Sequence, residues 1–268
     1  MLNKLAKVRI LKKIISSLGV RILKLLNKNR RYFKIGNINM FLDFLDPIDR
    51  EIIITNEYEN EEISMLIKLI NLHNINYFID IGANCGIYSF KTSTYFKNLK
   101  IIAFEPNIEA FQKFNKTLEA NVESFKNVKI FNYGLSNKKS KLKMRSKVKY
   151  GYSQTGGSVV HDGKLYKDVS IYKADFEKGD EKINLINSNI AIKIDVEGHE
   201  FSVLEGLKQT ITKNNCILQI EIFNENFELL NNFLINNNFK KISEIKSNVN
   251  NIYKNYYYSN IDILTVDK

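Results

Sequence analysis

The feature that most constrains this chain is a regular alternation, from Tyr77 onward, of short apolar runs with longer amphipathic stretches. Tyr77 to Ile81, Lys100 to Glu105, Val128 to Tyr133, Ile190 to Asp195 and Cys216 to Phe223 read as buried strands. Between them apolar residues recur every three or four positions, as in Phe111, Phe114, Leu118 and Val122, or Val203, Leu204 and Leu207, or Phe227, Leu230 and Leu234. That spacing lines one face of a helix. Strands alternating with helices predict an α/β fold, a doubly wound, mostly parallel sheet with helices on both faces. Phe239 to Ile245 and Ile261 to Val266 supply a final pair, for seven strands in all. Ser136 to Asp175 breaks the rhythm and is predicted as a strand-and-loop insertion. Ahead of the alternation, Glu59 to Leu72 reads as a helix, and Tyr32 to Leu42 and Ile52 to Ile54 as short extended pieces.

Charge divides the chain. Residues 1–34 hold eleven of the 40 Lys and Arg and no acid, and the rest balances 29 basic against 29 acidic residues, so the net +11 belongs to this segment. Its Leu2, Leu5, Val8, Leu11, Ile14, Ile15, Leu18, Ile22 and Leu25 fall along one helical face. The longest uncharged stretch, Ile14 to Val20, is far short of the roughly 20 residues a membrane span needs, and there is no signal-peptide core. A cationic amphipathic helix of this kind either packs on its own domain or lies on an anionic lipid surface. The organisation expected is therefore a basic amphipathic helical extension at 1–34, lead-in strands and helix at 35–75, and a main domain at 76–268 with an insertion at about 136–175. Two cysteines, Cys85 and Cys216, give no disulfide framework, so a cytoplasmic protein is expected, with peripheral contact at the inner membrane face as an option.

The chemistry gathers at the carboxyl ends of the strands, where a doubly wound sheet binds ligands. The first strand runs into Asp80-Ile81-Gly82-Ala83-Asn84-Cys85-Gly86. Gly82 and Gly86 let backbone approach a ligand, although tight strand-to-helix turns use glycine in any case. The Gly-x-x-x-Gly spacing is not that of a dinucleotide pyrophosphate loop, and Asp80 sets a carboxylate beside it. A carboxylate suits a ligand bearing an ammonium group, such as the methionine part of S-adenosyl-L-methionine. Glu105, 25 residues on, closes the second strand where an acid takes both ribose hydroxyls of a nucleoside. Asn132-Tyr133-Gly134-Leu135 ends the third, where an adenine would lie. The fourth carries Lys193-Ile194-Asp195-Val196-Glu197-Gly198-His199-Glu200, and Glu221 tips the fifth. Acids and a histidine at the end of a buried strand are costly unless they face a cleft. Asp195 and His199 are candidate general bases, and Glu197 and Glu221 candidate holders of a second substrate. His199 is equally read as an idle residue at a helix start. No paired Cys and His ligands stand at zinc spacing, and carboxylates alone do not establish a divalent-metal site, so no metal is assigned.

The ordered set Phe78-Ile79-Asp80-Ile81-Gly82-Ala83-Asn84-Cys85-Gly86, Phe104-Glu105-Pro106-Asn107 and Ile192 to Glu200 resembles the FkbM-type methyltransferases, class I enzymes with a Rossmann-like fold. The resemblance runs from about residue 57 to 266 and includes Glu57-Tyr58-Glu59. It implies S-adenosyl-L-methionine against Asp80, Gly82, Asn84, Gly86, Glu105, Asn107 and Asn132 to Leu135, with Asp195, Glu197 and His199 at the reaction centre. Two departures stand out: Gly134 where alanine is usual, and Tyr172-Lys173-Ala174-Asp175-Phe176 in place of a Thr-Leu-Asp pattern.

The absence of an Asn- or Asp-Pro-Pro-Tyr tetrapeptide favours an oxygen over an amine acceptor. Ser124 to His161 contains no acid, and Lys139, Lys141, Lys143, Arg145, Lys147 and Lys149 alternate along it. On a strand they share a face, either a lysine-defended edge or a surface for an anionic acceptor. Tyr150 to Ser158 would form a flexible wall over it. The acceptor expected is a small molecule or glycan, through a sugar hydroxyl. The rival readings are RNA methylation, disfavoured because no RNA-binding module is appended, and a non-catalytic membrane-surface module that keeps the fold.

Overall fold

A computed structural model describes residues 17–20, 22, 29–149, 152–160, 168–246 and 252–261. Most of the expected basic helix thus lies outside the described residues. Of the part that is described, Val20 packs against Phe44, Leu45 and Ile54, whereas Leu18 and Ile22 of the expected apolar face are 58% and 46% exposed.

The chain then forms a hairpin, β1 (Arg30–Ile35) and β2 (Ile38–Asp43), turned by Gly36 at φ +57°. Two helices follow, α1 (Pro47–Thr55) and α2 (Asn60–Leu72). Ile52 to Ile54, expected to be extended, belong to α1. Asp46 caps that helix by accepting from the Ile48 and Asp49 N–H groups, and Pro47 takes the first position, where a missing N–H costs nothing.

From there the alternation is β3 (Tyr77–Ile81), α3 (Ile87–Tyr95), β4 (Lys100–Phe104), α4 (Ile108–Ala120) and β5 (Val128–Phe131). The insertion is a second sheet built from β6 (Gly134–Ser136), β7 (Ser140–Lys149), β8 (Tyr152–Val159) and β9 (Val169–Lys178). The chain resumes with α5 (Gly179–Lys182), β10 (Asn189–Ile194), α6 (Glu200–Gly206), α7 (Lys208–Thr212), β11 (Asn215–Phe223), α8 (Phe227–Asn236), β12 (Lys240–Lys246) and β13 (Tyr253–Ser259).

The main sheet has the order β12-β13-β11-β10-β3-β4-β5. It is parallel except where β13 runs antiparallel between β11 and β12. The last strand is thus Tyr253–Ser259, not the expected Ile261 to Val266, of which 262–266 lie outside the described residues. A tyrosine run hides easily in a sequence, yet Tyr257 and Tyr258 are fully buried. Burial is tolerable because each hydroxyl has an acceptor, the Glu62 carbonyl at 3.3 Å and Asn231 Oδ1 at 2.9 Å. Along β3 the side chains alternate faces: Phe78 joins one core with Phe90 and Phe114, and Ile79 and Ile81 join the other with Leu204 and Leu218. Burying each contributes about 1.5–3 kcal/mol.

The insertion has the order β6-β9-β7-β8, so β7 is an interior strand and its lysine face is not edge protection. The described part of the expected flexible wall is β8 itself. Among the described residues no helix is long and apolar enough to cross a membrane.

Candidate active site

The chain order reverses between β3 and β10, and there the strand ends open into a cavity holding about 1060 Å³ of space, its mouth included. Its edge is fixed by backbone. Gly82 and Ala83 donate to the Phe104 carbonyl at 3.0 and 3.1 Å, and the Asp195 N–H donates to Ile81 O at 3.1 Å. Gly82 stands at φ +79°, and a Cβ there would lie 1.8 Å from the Asp195 carbonyl oxygen. Gly86, at φ +85°, would meet the rings of Phe114 and Phe90 at 2.5 and 2.7 Å. Both glycines are therefore required by close packing of the protein on itself.

Glu105 is held from two sides. The Asn107 N–H donates to its Oε1 and the Asn84 N–H to its Oε2, both at 2.8 Å. Burial pushes its carboxyl up to about 7 against those two bonds. Two amides fix the plane of the carboxylate, and each oxygen keeps a second lone pair for a ligand hydroxyl. Asn84 itself sits in the left-handed region at φ 49° and accepts from Thr155 Oγ1 at 3.1 Å. Thr155 ties the insertion down: its N–H donates to Asp46 at 2.8 Å, and its carbonyl accepts from Asn107 Nδ2 at 3.2 Å. Lys113 and Asp49 form a buried ion pair beneath, with Lys113 also 3.3 Å from Thr155 Oγ1. Lead-in, insertion and donor-side loop therefore share one polar network.

The opposite end of the cavity is acidic. Glu59, Asp195, Glu197 and Glu221 line it with one cation, Lys193. Burial works to lower the Lys193 ammonium, but Asp195, Asp80 and Glu59 overcome it and hold it above the usual range. Its Nζ lies 3.1 Å from Asp195 and over the Tyr88 ring at 4.7 Å. Burial, then Asp195, pushes both Glu59 and Glu197 up to about 7. Burial, then Asp195 and Glu197, pushes Glu221 up to about 10, so Glu221 is protonated at neutral pH. Glu197 also holds φ 52°, a left-handed conformation that a glutamate adopts at a cost. Among the described residues no three His, Cys, Asp or Glu groups are placed to hold a metal ion.

Of the residues singled out from the sequence, Gly82, Asn84, Glu105, Asn107, Gly134, Leu135, Asp195, Glu197, His199 and Glu221 line this one cavity. Asp80, Gly86, Asn132 and Tyr133 lie outside its lining. Asp80 is fully buried, takes the Ser89 hydroxyl at 2.6 Å and lies 3.9 Å from Lys193, so it acts on the site through that lysine. Asn132 Nδ2 donates to the Glu105 carbonyl at 2.9 Å, and Tyr133 packs on Phe104 and Phe131. His199 is buried, with Nε2 3.0 Å from Ser136 Oγ and its ring edge-on to Phe176.

The two departures from the family pattern meet in a single contact. Gly134 pairs with Phe176 across β6 and β9, and a Cβ on Gly134 would come within 2.4 Å of that ring. Phe176 fills the space an alanine methyl would take.

The sequence assigns no site role to Glu59, Tyr88, Lys193 or Thr155, although Glu59 and Lys193 lie in its motifs. Lys193 had a readable signal, a lysine between Ile192 and Ile194 in an otherwise apolar buried strand. Glu59 stood in the Glu57-Tyr58-Glu59 run of the resemblance, but its place in the cavity rests on a φ of 43° at the start of α2, where Tyr88 Oη donates to it at 2.7 Å.

A family model described as the methyltransferase FkbM domain matches residues 80–241. The crystal structure of the methyltransferase FkbM from Methylobacillus flagellatus KT superposes with a TM-score of 0.51 at 16% identity, over 69% of this chain and 44% of that one. This chain therefore aligns with less than half the length of that protein. TYW2 of M. jannaschii in complex with AdoMet gives 0.48 at 11% identity, over 86% and 85% of the two chains. The putative transferase PH0793 from Pyrococcus horikoshii gives 0.49 at 10%, over 94% and 84%. No curated protein matches the chain significantly. The matched span begins at the buried acid of β3 and takes in the cavity's Glu105, Asp195 and Glu221; the chain belongs to the FkbM methyltransferase family.

Proposed function

We propose that the cavity binds S-adenosyl-L-methionine and that the protein is an O-methyltransferase acting on a hydroxyl of a sugar or glycan. The observation that carries this reading is the cavity's division into a pinned nucleoside-type acid, Glu105, and a far wall with four further acids around one lysine. Glu105 offers its remaining lone pairs to a ribose diol, while Leu135, Met144, Tyr172 and Phe176 line the cavity with apolar surface for a flat base. The acidic wall suits a ligand that carries positive charge, and S-adenosylmethionine supplies a methyl carbon on a cationic sulfur.

The residues divide the remaining work. Methyl transfer to an alcohol needs alignment, exclusion of water and removal of one proton as the carbon–oxygen bond forms. A base is most effective with a pKa near the working pH, and Glu197 at about 7 meets that condition. His199 has Nε2 committed to Ser136 and is the weaker candidate. Asp195 is held by Lys193 and serves to orient. Glu221, protonated, donates a hydrogen bond to the acceptor. Glu197 takes the acceptor's hydroxyl proton as its oxygen bonds the methyl carbon; a bound donor would supply that methyl, keep the electron pair of the broken carbon–sulfur bond and become a neutral thioether.

The test is thermal stabilisation by S-adenosylhomocysteine. At one hundred times Kd a ligand adds about 2.7 kcal/mol, roughly 5–10 °C for a chain this long. Glu105→Ala should abolish the shift. No shift in the parent protein, or one with NAD instead, would reject the reading. Exposed Leu18 and Ile22 beside buried Val20 also support peripheral contact of residues 1–34 with anionic lipid, checked by flotation with phosphatidylglycerol vesicles.

A further inference from the structure

Glu197 borders a surface pocket shared with Gly198 and Phe201, and it lines both the central cavity and an outer groove beside it. The groove is walled by Arg145 and Lys147 of β7 and by Ser158 of β8, and Gly156 and Gly157 line both spaces. Two glycines at that boundary leave it without side chains. A Cβ on Gly156 would touch only Glu197 Oε1, at 4.0 Å.

The face of the sheet above the groove is cationic at a cost. Lys143 of β7 lies directly opposite Lys173 of β9, a like-charge cross-strand pair on an interior strand. Lys141, Lys143 and Lys147 are exposed; Lys141 pairs with Asp175 at 3.3 Å, and Lys147 acts electrostatically on Glu197. Arg145 is oriented by its Nε bond to Ser158 Oγ at 3.0 Å. Two acids line the groove. Asp46 has both oxygens engaged, one by the Ile48 and Asp49 N–H groups and the other by Thr155, which leaves Glu197 as the groove's inner end. Phe223, also in the groove, packs at 5.9 Å on Tyr253 of the cavity, so an aromatic pair flanks the passage.

We propose that this groove holds a phosphoryl group of the acceptor, on Arg145 and Lys147, so that the acceptor is a phosphorylated saccharide whose hydroxyl reaches past Gly156 to Glu197. The inference rests on the methyltransferase reading and adds the substrate class to it. The groove presents the exposed cation Lys147 beside Arg145, whereas acids around Lys193 dominate the cavity, so the acceptor is anionic at one end and neutral at the end that reacts. A planar, forked guanidinium with a lysine beside it fits a phosphoryl group, and the aromatic pair fits the apolar face of a sugar ring.

The experiment measures binding of inorganic pyrophosphate by calorimetry to the parent protein, to the double variant Arg145→Gln/Lys147→Gln, and to Lys126→Gln/Lys129→Gln as a control for bulk charge. The expected result is a Kd at least tenfold weaker in the first double variant and unchanged in the control. A sugar phosphate should protect Arg145 contacts that its dephosphorylated form does not, read as nuclear magnetic resonance shifts of the arginine side chain. Equal weakening in both variants, or no binding by the parent protein, overturns the proposal. So does tighter binding of phosphatidylglycerol vesicles, or of a single-stranded RNA, that depends on the same two residues while pyrophosphate does not bind. The S-adenosylhomocysteine shift is measured on each variant: its survival in Arg145→Gln/Lys147→Gln keeps failure of the groove separate from failure of the donor site.

Discussion

Replacing Gly82 by alanine separates packing of the protein on itself from approach to a ligand. Two costs follow from the structure. An alanine at φ +79° pays about 1–2 kcal/mol for the left-handed region. The new methyl would lie 1.8 Å from the Asp195 carbonyl oxygen, whereas ordinary contact begins at 3.4 Å, so the tips of β3 and β10 must part by about 1.6 Å. That motion strains the bond from the Asp195 N–H to Ile81 O, worth about 1 kcal/mol, and adds an overpacking cost of about 1–3 kcal/mol. The sum is roughly 3–6 kcal/mol, or a fall in Tm on the order of 10 °C. Gly36→Ala is the control: its φ is +57°, but no atom lies within 4 Å of a Cβ, so it pays the conformational cost alone. The assay is differential scanning calorimetry of both variants without ligand. Should Gly82→Ala melt within about 2 °C of Gly36→Ala, the close approach of the two strand tips is not what demands glycine.

Glu197→Gln should lower kcat by about 10²- to 10⁴-fold, erase the acid limb near pH 7 and leave the Kd for S-adenosylhomocysteine within about threefold, read in steady-state and calorimetric assays. Glu105 has a folded carboxyl raised from 4.5 to about 7, so the folded state holds the proton more tightly, and this group's contribution to stability is full below about 4.5 and is lost as pH rises to about 7. Glu105→Gln should therefore gain on the parent protein as pH is raised from 5 to 8 in urea titrations, and a constant difference would reject the assignment. Lys113→Met strands Asp46 and Asp49 in the interior and should cost about 3–5 kcal/mol by urea denaturation.

The parallel core was legible because a buried strand flanked by helices leaves an apolar run with a clear period, as in β3, β4, β10 and β11. Elements whose buried faces are not aliphatic were harder. α1 was read as extended because Ile52 to Ile54 dominate it, although Asp46-Pro47 is a helix start signal. β13 is buried through tyrosines whose hydroxyl partners lie far off in sequence. At the site, strand-end position marked Glu105, Asp195, Glu197 and Glu221 as cavity residues, since topology alone brings strand ends together. It could not say which acids touch the cavity and which support it. Asp80 and Glu105 both sit at strand ends, yet Asp80 is turned under the loop toward Ser89 and Glu105 is turned up by two amides. Gly82 and Gly134 were read for a ligand, and each is fixed by a protein atom, the Asp195 carbonyl and the Phe176 ring.

The insertion of β13 between β11 and β12 sets an order on assembly. β12 is made first but has no place until β13 arrives, because its hydrogen bonds run to β13 and not to β11. A chain emerging from the ribosome therefore carries a bare apolar border, residues Ile217 to Phe223, until Ser259 has been added. Cutting the gene to the 80–241 span that the family model matches would make that transient border permanent, and such a fragment should clump instead of fold.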